Sequence, residues 1–185
     1  MTEKTASILV DPHPRCHIVY PCTDDHLIIE AVSTFTASGL AKEEAAVLIA
    51  TPEHCAAVEQ HLAAEGYDVG RLKSEGRLVM LDVREMTSKL VVEGMPSAAV
   101  FRNIIGNIVG TAKLNAPSGR IRLYGEMVSL LWGPNLPAAL RMEELWNEVI
   151  ETYSVPLLCT YSLPKPEVLT PFPESLLSVH SHRMA

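Results

Sequence analysis

The sequence predicts a single α/β domain: three layers, α/β/α, built on a mostly parallel sheet of five strands. The first observation is that short apolar segments alternate along the chain with longer segments of helical periodicity. The second is that the short segments are apolar on both faces, which is typical of parallel strands covered by helices on each side. A chain of 185 residues that is 48% hydrophobic is also large enough to bury one core of its own.

Five apolar runs are the predicted strands of this sheet. They lie at residues 16–21, 46–50, 78–83, 120–124 and 155–161. The segments between them are long enough to hold helices, so we expect the strands to be parallel and joined by crossover connections.

Four helices are predicted between the strands, at residues 24–38, 52–65, 97–114 and 136–152. Thr23 or Asp24 is placed to cap the first helix, and Gly39 to end it. The second begins at Thr51 and Pro52, a capping residue followed by proline at the first helical position. The last helix has an apolar face that includes Met142 and Trp146. Its polar residues, which are expected elsewhere on the helix, are Arg141, Glu144, Asn147, Glu148 and Glu151.

The two ends of the chain differ in composition from the domain at 16–162. Residues 1–15 contain Pro12 and Pro14 without periodicity, which predicts a flexible leader. Residues 163–185 are predicted to form a proline-rich connector and a C-terminal helical tail. This tail is expected either to dock on the domain or to meet a partner.

Charge and hydropathy exclude two classes of partner. The net charge of −7 leaves no basic surface for a phosphate backbone, so nucleic-acid binding is not expected. The apolar runs are far shorter than the ~20 residues that cross a bilayer, and the N-terminus lacks a signal pattern. We therefore expect a cytoplasmic protein with no membrane contact. Its four cysteines, at no paired spacing, are expected to be free thiols.

The turn after the first predicted strand argues against nucleotide chemistry. It reads Pro21-Cys22-Thr23-Asp24-Asp25, with no glycine to bring backbone amides around a phosphate and no lysine. The two aspartates would repel a phosphate group. Neither a Walker A motif nor a dinucleotide fingerprint occurs in the sequence, and no cofactor is expected.

Ligand-binding residues are expected at the carboxyl ends of the strands, where open parallel sheets bind their ligands. Glu126 is the most specific candidate among these positions, because it follows the fourth predicted strand almost directly. Its carboxylate has two interpretations of about equal weight: a group above the sheet edge, or an acid favoured by the dipole of a helix that starts near Met127. The residues chosen by this rule are Tyr20, Cys22, Thr23, Asp82, Glu126, Cys159 and Tyr161.

Cysteine catalysis is a weaker interpretation of the same residues. Cys22 or Cys159 could be activated by His17 or His26, with Glu126 as the orienting group. A cysteine inside an apolar strand is more often an inert small hydrophobe. No G-x-S-x-G motif is present for a serine hydrolase.

A metal site is also not expected from the sequence. Three pairs of residues offer ligands, namely Cys22 with His26, His54 with Cys55, and His180 with His182. None of these pairs has zinc-finger spacing, and no H-E-x-x-H motif occurs. His17 is the eighth predicted ligand-binding residue. A buried neutral imidazole is the commoner role of such a histidine, and the strand register decides whether His17 faces the ligand pocket or the core.

Several short motifs, in this order and spacing, resemble one known family. The sequence is similar to the MEDS sensory domains, the methanogen and methylotroph sensory domains that include the sensory part of dichloromethane-responsive regulators. The resemblance covers about residues 15–183. The motifs are Cys16-His17-Ile18-Val19-Tyr20, Ser38-Gly39-Leu40, Gly66-Tyr67-Asp68-Val69, Gly76-Arg77-Leu78, Tyr124-Gly125-Glu126-Met127 and Leu157-Leu158-Cys159-Thr160-Tyr161.

The resemblance implies a RecA-like or KaiC-like fold, related to P-loop NTPases, that lacks the phosphate-binding loop and senses a ligand. Members are often joined to histidine kinases or regulatory ATPase-like domains, and a role in sensing small hydrocarbon derivatives has been proposed for them. By this resemblance, His17 and Tyr20 match the opening histidine and aromatic motif. Gly125, Glu126 and Cys159 match the later blocks, and the segment 179–182 matches a C-terminal histidine segment.

The predicted function is a non-catalytic small-molecule sensing module of a bacterial or archaeal signalling or transcription-regulation system. These 185 residues leave no room for the output domain that such sensors usually carry. The output is therefore expected to pass through a separate signalling protein or through self-association. The alternatives are a degenerate RecA-like nucleotide-binding or ATPase subunit, and a structural adaptor.

Overall fold

The computed structural model describes residues 3–163 and 172–184. Its eight strands are β1 (His17–Cys22), β2 (Ala45–Ala50), β3 (Leu78–Asp82), β4 (Val91–Val92), β5 (Met95–Pro96), β6 (Ile121–Gly125), β7 (Leu157–Ser162) and β8 (His182–Arg183). Its nine helices are α1 (Glu3–Val10), α2 (Asp25–Leu40), α3 (Pro52–Ala64), α4 (Val69–Ser74), α5 (Val83–Leu90), α6 (Ala98–Asn115), α7 (Met127–Leu131), α8 (Leu136–Tyr153) and α9 (Glu174–Ser178). These counts refer to the described ranges.

The predicted three-layer fold with a mostly parallel sheet is confirmed. Six strands form the main sheet in the order β3-β2-β6-β7-β1-β8, and every neighbouring pair in it is parallel. Five of these strands are the predicted ones, and the sixth, β8, was not predicted. β4 and β5 form a separate antiparallel hairpin.

Two hydrophobic cores lie on opposite faces of the sheet. Helices α1 to α4 cover one face, where Ile18, Phe35 and Leu48 are buried. Helices α5 to α9 cover the other face, where Val47, Trp146 and other large side chains are buried. β2 is buried along its whole length, which explains why its sequence is apolar on both faces.

The prediction that Gly39 ends the first helix is wrong: α2 runs through Leu40 to a C-cap at Ala41, and Gly39 lies inside the helix, where it packs against the side chain of Arg122. The predicted N-capping residues do occupy their expected places. The side chain of Asp24 accepts a hydrogen bond from the backbone N–H of His26, and that of Thr51 accepts one from His54. Both N–H groups belong to first helical turns, which leave their amides without partners inside the helix.

The N-terminal segment differs from the predicted flexible leader. Residues 3–10 form α1, and Leu9 is fully buried. The guanidinium of Arg122 donates to the carbonyl oxygens of Leu9 and Val10 over 2.8 and 3.1 Å. A charged group from β6 therefore anchors this helix, which a search for apolar periodicity does not detect.

The described part of the C-terminal tail docks on the domain. The predicted helix is present as α9, and β8 extends the sheet beside β1. The backbone N–H groups of Ser181 and Met184 donate to the carbonyl oxygens of His17 and Val19, each over 2.9 Å. The predicted proline-rich connector lies largely outside the described residues.

Within the described ranges, none of the helices is both long enough and apolar enough to span a bilayer. The four cysteines are free thiols, as the sequence predicts.

Candidate functional site

The eight predicted ligand-binding residues do not form a single site. Alternation along β1 and β7 places His17, Cys159 and Tyr161 on the face covered by α8. Tyr20 and Cys22 lie on the opposite face, against α2 and its neighbours. Neighbouring positions on a strand point to opposite faces, so this division follows from the register.

Four of the predicted residues at the carboxyl edge have local contacts or no described partner. Asp82 caps α5, since its carboxylate accepts hydrogen bonds from the N–H groups of Arg84 and Glu85 over 2.7 and 2.9 Å. Cys22 contacts the backbone of Asp24 through its thiol. Thr23 is exposed. Tyr20 is half-buried, and its burial, with the nearby Cys22, raises the pKa of its phenol to about 12.

The first polar site is a buried cluster formed by His17, Glu143, Cys159 and His180. Nε2 of His17 lies 3.3 Å from Oε2 of Glu143 and 3.4 Å from Sγ of Cys159. Nε2 of His180 lies 3.3 Å from the other carboxylate oxygen, Oε1. The side chains of Glu143 and His180 have no solvent exposure, and that of His17 is 3% exposed.

Four separate elements contribute to the buried cluster. His17 opens β1, and Cys159 lies in the middle of the adjacent strand β7. Glu143 belongs to the buried stripe of α8, and His180 follows α9. The hydroxyl of Tyr161, also from β7, donates to Oε1 of Glu143. The cluster therefore joins the C-terminal segment to the centre of the domain.

In both imidazoles of the buried cluster, the Nδ1 atom points away from the cluster and is fixed by a hydrogen bond. Nδ1 of His17 lies 2.8 Å from the amide oxygen of Asn147, and Nδ1 of His180 lies 2.7 Å from the carbonyl oxygen of Leu176. The amide nitrogen of Asn147 donates to the carbonyl of Val179, which fixes the orientation of that amide. Because both partners are oxygen acceptors, both Nδ1 atoms carry a proton, and both Nε2 atoms face the cluster.

Burial and charge set the protonation of the other groups. Burial opposes ionisation of Glu143, but the close approach of the His17 and His180 rings outweighs it and holds the pKa of this carboxyl well below its usual range. Burial, and then the charge of Glu143, raises the pKa of Cys159 and of Tyr161 well above the usual values. Oε2 of Glu143 and Nε2 of His180 have no well-aligned hydrogen-bond partner among the described residues.

The second polar site is a network around Glu126. Its Oε2 accepts a hydrogen bond from the backbone N–H of Thr51 over 3.1 Å, and its Oε1 lies 2.5 Å from Nδ1 of His54. The hydroxyl of Tyr124 donates to Oε1 and lies 2.8 Å from the hydroxyl of Thr160. The Glu126 network is largely buried, since the side chains of His54 and Glu126 are 12% and 8% exposed.

Neither sequence interpretation of Glu126 describes its contacts fully. Glu126 does precede α7, but its side chain caps nothing in that helix. Its carboxylate instead lies at the start of α3, where it bonds to Thr51 and His54. The hydrogen bond with Glu126 raises the pKa of His54 despite its burial. Burial, and then Glu126, raises the pKa of Tyr124 well above its usual value.

The Glu126 network lies where the chain leaves two neighbouring strands toward opposite faces. β2 leads into α3 on one face, while β6 leads into α7 and α8 on the other. In open α/β sheets, such a divergence opens a crevice at the carboxyl ends of the strands, and ligands bind there.

A cavity of about 330 Å³ lies beside α3 and the carboxyl end of β3. Its lining residues are Pro52, Cys55, Ala56, Glu59, Lys73, Met80, Leu81 and Asp82. Burial raises the pKa of Cys55 to about 11, with further contributions from the charges of Glu126 and other nearby groups. Two further cavities, of about 160 and 310 Å³, lie along α6, and the side chains that line them are not among the predicted site residues.

Sequence reasoning missed Glu143, His54 and Asn147 as site residues. Glu143 leaves a usable signal, because its spacing from Ala139, Met142 and Trp146 places a carboxylate on the buried stripe of α8. Asn147 was expected among the polar residues away from the apolar face, yet its amide bonds to His17 and the C-terminal segment.

The comparisons with known proteins agree with this architecture. The crystal structure of a KaiC-like protein from the hyperthermophilic archaeon Pyrococcus horikoshii OT3 is similar, with a TM-score of 0.56 and 17% sequence identity. The match covers 91% of this chain and 70% of that chain, and at this identity it supports the fold alone. No curated protein sequence matches the chain. The family described as the methanogen/methylotroph, DcmR sensory domain matches residues 16–177. The chain therefore belongs to the MEDS family of sensory domains.

Proposed function

We propose that this MEDS domain is a non-catalytic sensing module that binds a small, uncharged or weakly polar molecule, of the class of simple hydrocarbon derivatives. The system it serves would be a bacterial or archaeal signalling or transcription-regulation system. The observation that carries the proposal is the Glu126 network at the crevice between β2 and β6, next to the cavity lined by Cys55 and Asp82.

The cavity has the size and lining for such a ligand. About 330 Å³ falls at the lower end of the range of small-molecule sites, which is ~300–1,000 Å³. Met80, Leu81 and Ala56 supply apolar surface, while Asp82 and the ion pair of Lys73 with Glu59 supply polar groups at its rim. A few polar groups on a largely apolar wall can orient a small alcohol, amine or halocarbon without requiring a charged ligand.

The first strand-to-helix turn supports the sensor over the nucleotide-binding alternative. A phosphate at the start of α2 would need the backbone amides of that turn, but the carboxylate of Asp24 already accepts from the N–H of His26 over 2.9 Å. Asp25 adds a second negative charge in the same turn. A phosphate would therefore have to displace one carboxylate and approach another.

The C-terminal segment is the part of the domain best placed to report ligand occupancy. It contributes β8 beside β1, and His180 to the buried cluster that includes Cys159 of β7. β7 pairs with β6 at the crevice, and Thr160 of β7 contacts Tyr124 of the Glu126 network, so the segment is linked to the crevice through β7. We propose that it passes the signal to a separate protein or to a second copy of the chain.

The test is a thermal-shift screen of the purified chain against halocarbons, short alcohols, amines and nucleotides. A ligand that binds only the native state raises the melting temperature with its concentration. We expect a saturable rise with at least one small organic molecule and none with ATP. Glu126→Gln should weaken or abolish that rise, while the control Glu65→Gln, a change at an exposed acid, should leave it intact.

Two results would overturn the proposal. A strong shift with ATP alone would favour the degenerate nucleotide-binding subunit. No shift with any organic ligand, together with partner binding that Glu126→Gln leaves unchanged, would favour a structural adaptor.

A further inference from the structure

We propose that the buried cluster of His17, Glu143, Cys159 and His180 binds one divalent transition-metal ion of the zinc class. This proposal departs from the sequence expectation of no metal site. It goes beyond the proposed sensing function and does not depend on it, because the cluster lies on the opposite face of the sheet from the Glu126 network's contacts with α3.

The distances within the cluster fit tetrahedral coordination. Zinc binds imidazole nitrogen and carboxylate oxygen at about 2.0–2.2 Å and thiolate sulfur at about 2.3 Å, so neighbouring ligand atoms lie roughly 3.3–3.6 Å apart. Nε2 of His17 lies 3.3 Å from Oε2 of Glu143 and 3.4 Å from Sγ of Cys159. The ligand atoms of all four residues lie within 4.8 Å of one another. Small side-chain movements would close the longest of these separations.

The hydrogen bonds outside the cluster favour a cation inside it. Each Nδ1 donates to an oxygen, so each neutral imidazole presents the lone pair of Nε2 to a carboxylate oxygen 3.3 Å away. Two acceptors at that distance repel each other unless a proton or a metal ion lies between them. Imidazoles held by an outer oxygen acceptor are the usual arrangement of histidine ligands to metals.

Protons alone would satisfy the cluster less well than a metal ion. One imidazolium would balance the charge of the Glu143 carboxylate, but it would leave the Nε2 lone pair of the other ring facing a carboxylate oxygen. Two imidazolium rings around one carboxylate would bury a net positive charge among side chains with almost no exposure. A dication with the Glu143 carboxylate and the Cys159 thiolate sums to zero. On binding, the thiol would lose its proton to solvent, as coordinating cysteines do.

The unpaired atoms of the cluster point to the same conclusion. Oε1 of Glu143 already accepts from Tyr161. Among residues 3–163 and 172–184, neither Oε2 of Glu143 nor Nε2 of His180 has a well-aligned partner. Buried polar atoms are rarely left without a partner, because such an atom has lost its hydrogen bonds to water and gained none in exchange. Coordination of one ion would satisfy both of these atoms.

Four ligands from the protein leave no open position, which is typical of a structural site. The four donors come from β1, α8, β7 and the segment after α9. The ion would therefore fasten the C-terminal segment to the central strands.

The first experiment measures metal in the full chain. The protein is expressed in zinc-supplemented medium, purified without chelators and analysed by mass spectrometry of its elemental content. We expect about one zinc ion per chain. A second preparation is unfolded in denaturant together with a chelator. After the chelator has been removed, the protein is refolded with one equivalent of Co²⁺. We expect the intense visible bands of tetrahedral cobalt and a near-ultraviolet charge-transfer band from the thiolate.

Conservative variants then test the ligands. Cys159→Ser should remove the thiolate band, and Glu143→Gln should weaken Co²⁺ binding more than about tenfold. Cys55→Ser and His61→Gln, which change a cysteine and a histidine outside the cluster, should leave both spectrum and affinity unchanged. Circular dichroism of each variant establishes that it has folded.

The proposal fails if folded wild-type protein holds no stoichiometric zinc and gives no tetrahedral cobalt spectrum after refolding. It also fails if Cys159→Ser is folded and keeps the thiolate band. Neither result affects the thermal shift by small organic molecules, so the failure of this proposal is distinguishable from the failure of the sensing function.

Discussion

Nε of Arg122 donates a hydrogen bond to Oε2 of Glu44 over 2.6 Å, between side chains that are 1% and 2% exposed. The same guanidinium donates to the carbonyl oxygens of Leu9, Val10 and Phe35. One buried cation therefore holds α1, α2 and β6 together.

Arg122→Met should lower the free energy of unfolding by about 3–5 kcal/mol, because it leaves the charge of Glu44 buried beside only one partly exposed partner, Arg120. Urea denaturation measures this loss. The double variant Arg122→Met with Glu44→Leu should lose less free energy of unfolding than Arg122→Met alone, since it buries no unpaired charge. Equal losses in both variants would contradict the view that the unpaired charge of Glu44 causes the loss.

Gly39→Ala should be destabilising although Gly39 lies within a helix. A Cβ atom at this position would stand 2.6 Å from Nε of Arg122 and force the ion pair apart. Gly110 in α6 is the matched control, because a Cβ there meets no atom of the described residues within 4 Å. Gly110→Ala should stabilise the domain by up to about 1 kcal/mol through helix propensity. If both changes raise the melting temperature of the domain, the close approach of Gly39 and Arg122 is wrong.

Glu93→Asn should stabilise the hairpin formed by β4 and β5. Glu93 and Gly94 are the two turn residues, with φ of 51° and 80°. Asparagine tolerates the left-handed conformation better than glutamate, so we expect a gain of roughly 0.5–1 kcal/mol. Gly94→Ala, which places a Cβ at positive φ, should lower stability instead. Chemical denaturation of the two variants should give changes of opposite sign.

The interaction of His54 with Glu126 should make stability depend on pH. The pKa of His54 is raised in the folded state above 6.5, chiefly by its hydrogen bond with Glu126 and further by the charges of Asp25 and Glu53. A raised pKa means that the folded state binds the proton more tightly. The stabilisation is therefore fully present below about pH 6.5 and is lost as pH rises through the folded-state pKa.

The measurement is the free energy of unfolding of wild type and His54→Gln between about pH 5.5 and pH 9. Their difference should shrink as pH rises. His61→Gln, an exposed histidine on the same helix, should leave the wild-type profile unchanged. A constant difference across this range would show that the ion pair does not form.

Most of the sheet could be predicted because its central strands, such as β2 and β6, are buried on both faces. Two of the helices between the strands also begin at recognisable capping residues. Thr51 and Asp24 cap the helices for which they were proposed. β8 has two exposed residues, His182 and Arg183, and its pairing depends on neighbouring backbone groups rather than on an apolar pattern. For the same reason α1, which is anchored by Arg122, could not be found by periodicity.

The sites were harder to predict, because their members are far apart in sequence. His17, Glu143 and His180 have no informative spacing, and only the parallel register of β1 with β7 brings Cys159 to them. The expectation that ligands bind at the carboxyl ends of the strands did select Glu126, but not its partner His54, which lies in the first turn of α3. Tyr20 and Tyr161 illustrate the limit of that expectation, since they lie near the carboxyl ends of the neighbouring strands β1 and β7 yet face different layers.

The pairing of β8 with β1 also determines how the sheet ends. Without β8, the outer edge of β1 would offer the carbonyl oxygens of His17 and Val19 as a template for any other extended chain. An exposed edge of this kind favours edge-to-edge aggregation, and a strand of two charged or polar residues is one way in which proteins prevent it. The C-terminal segment thus acts as a protective cover for the sheet, and its release would convert a self-contained domain into one with a free strand edge available for association.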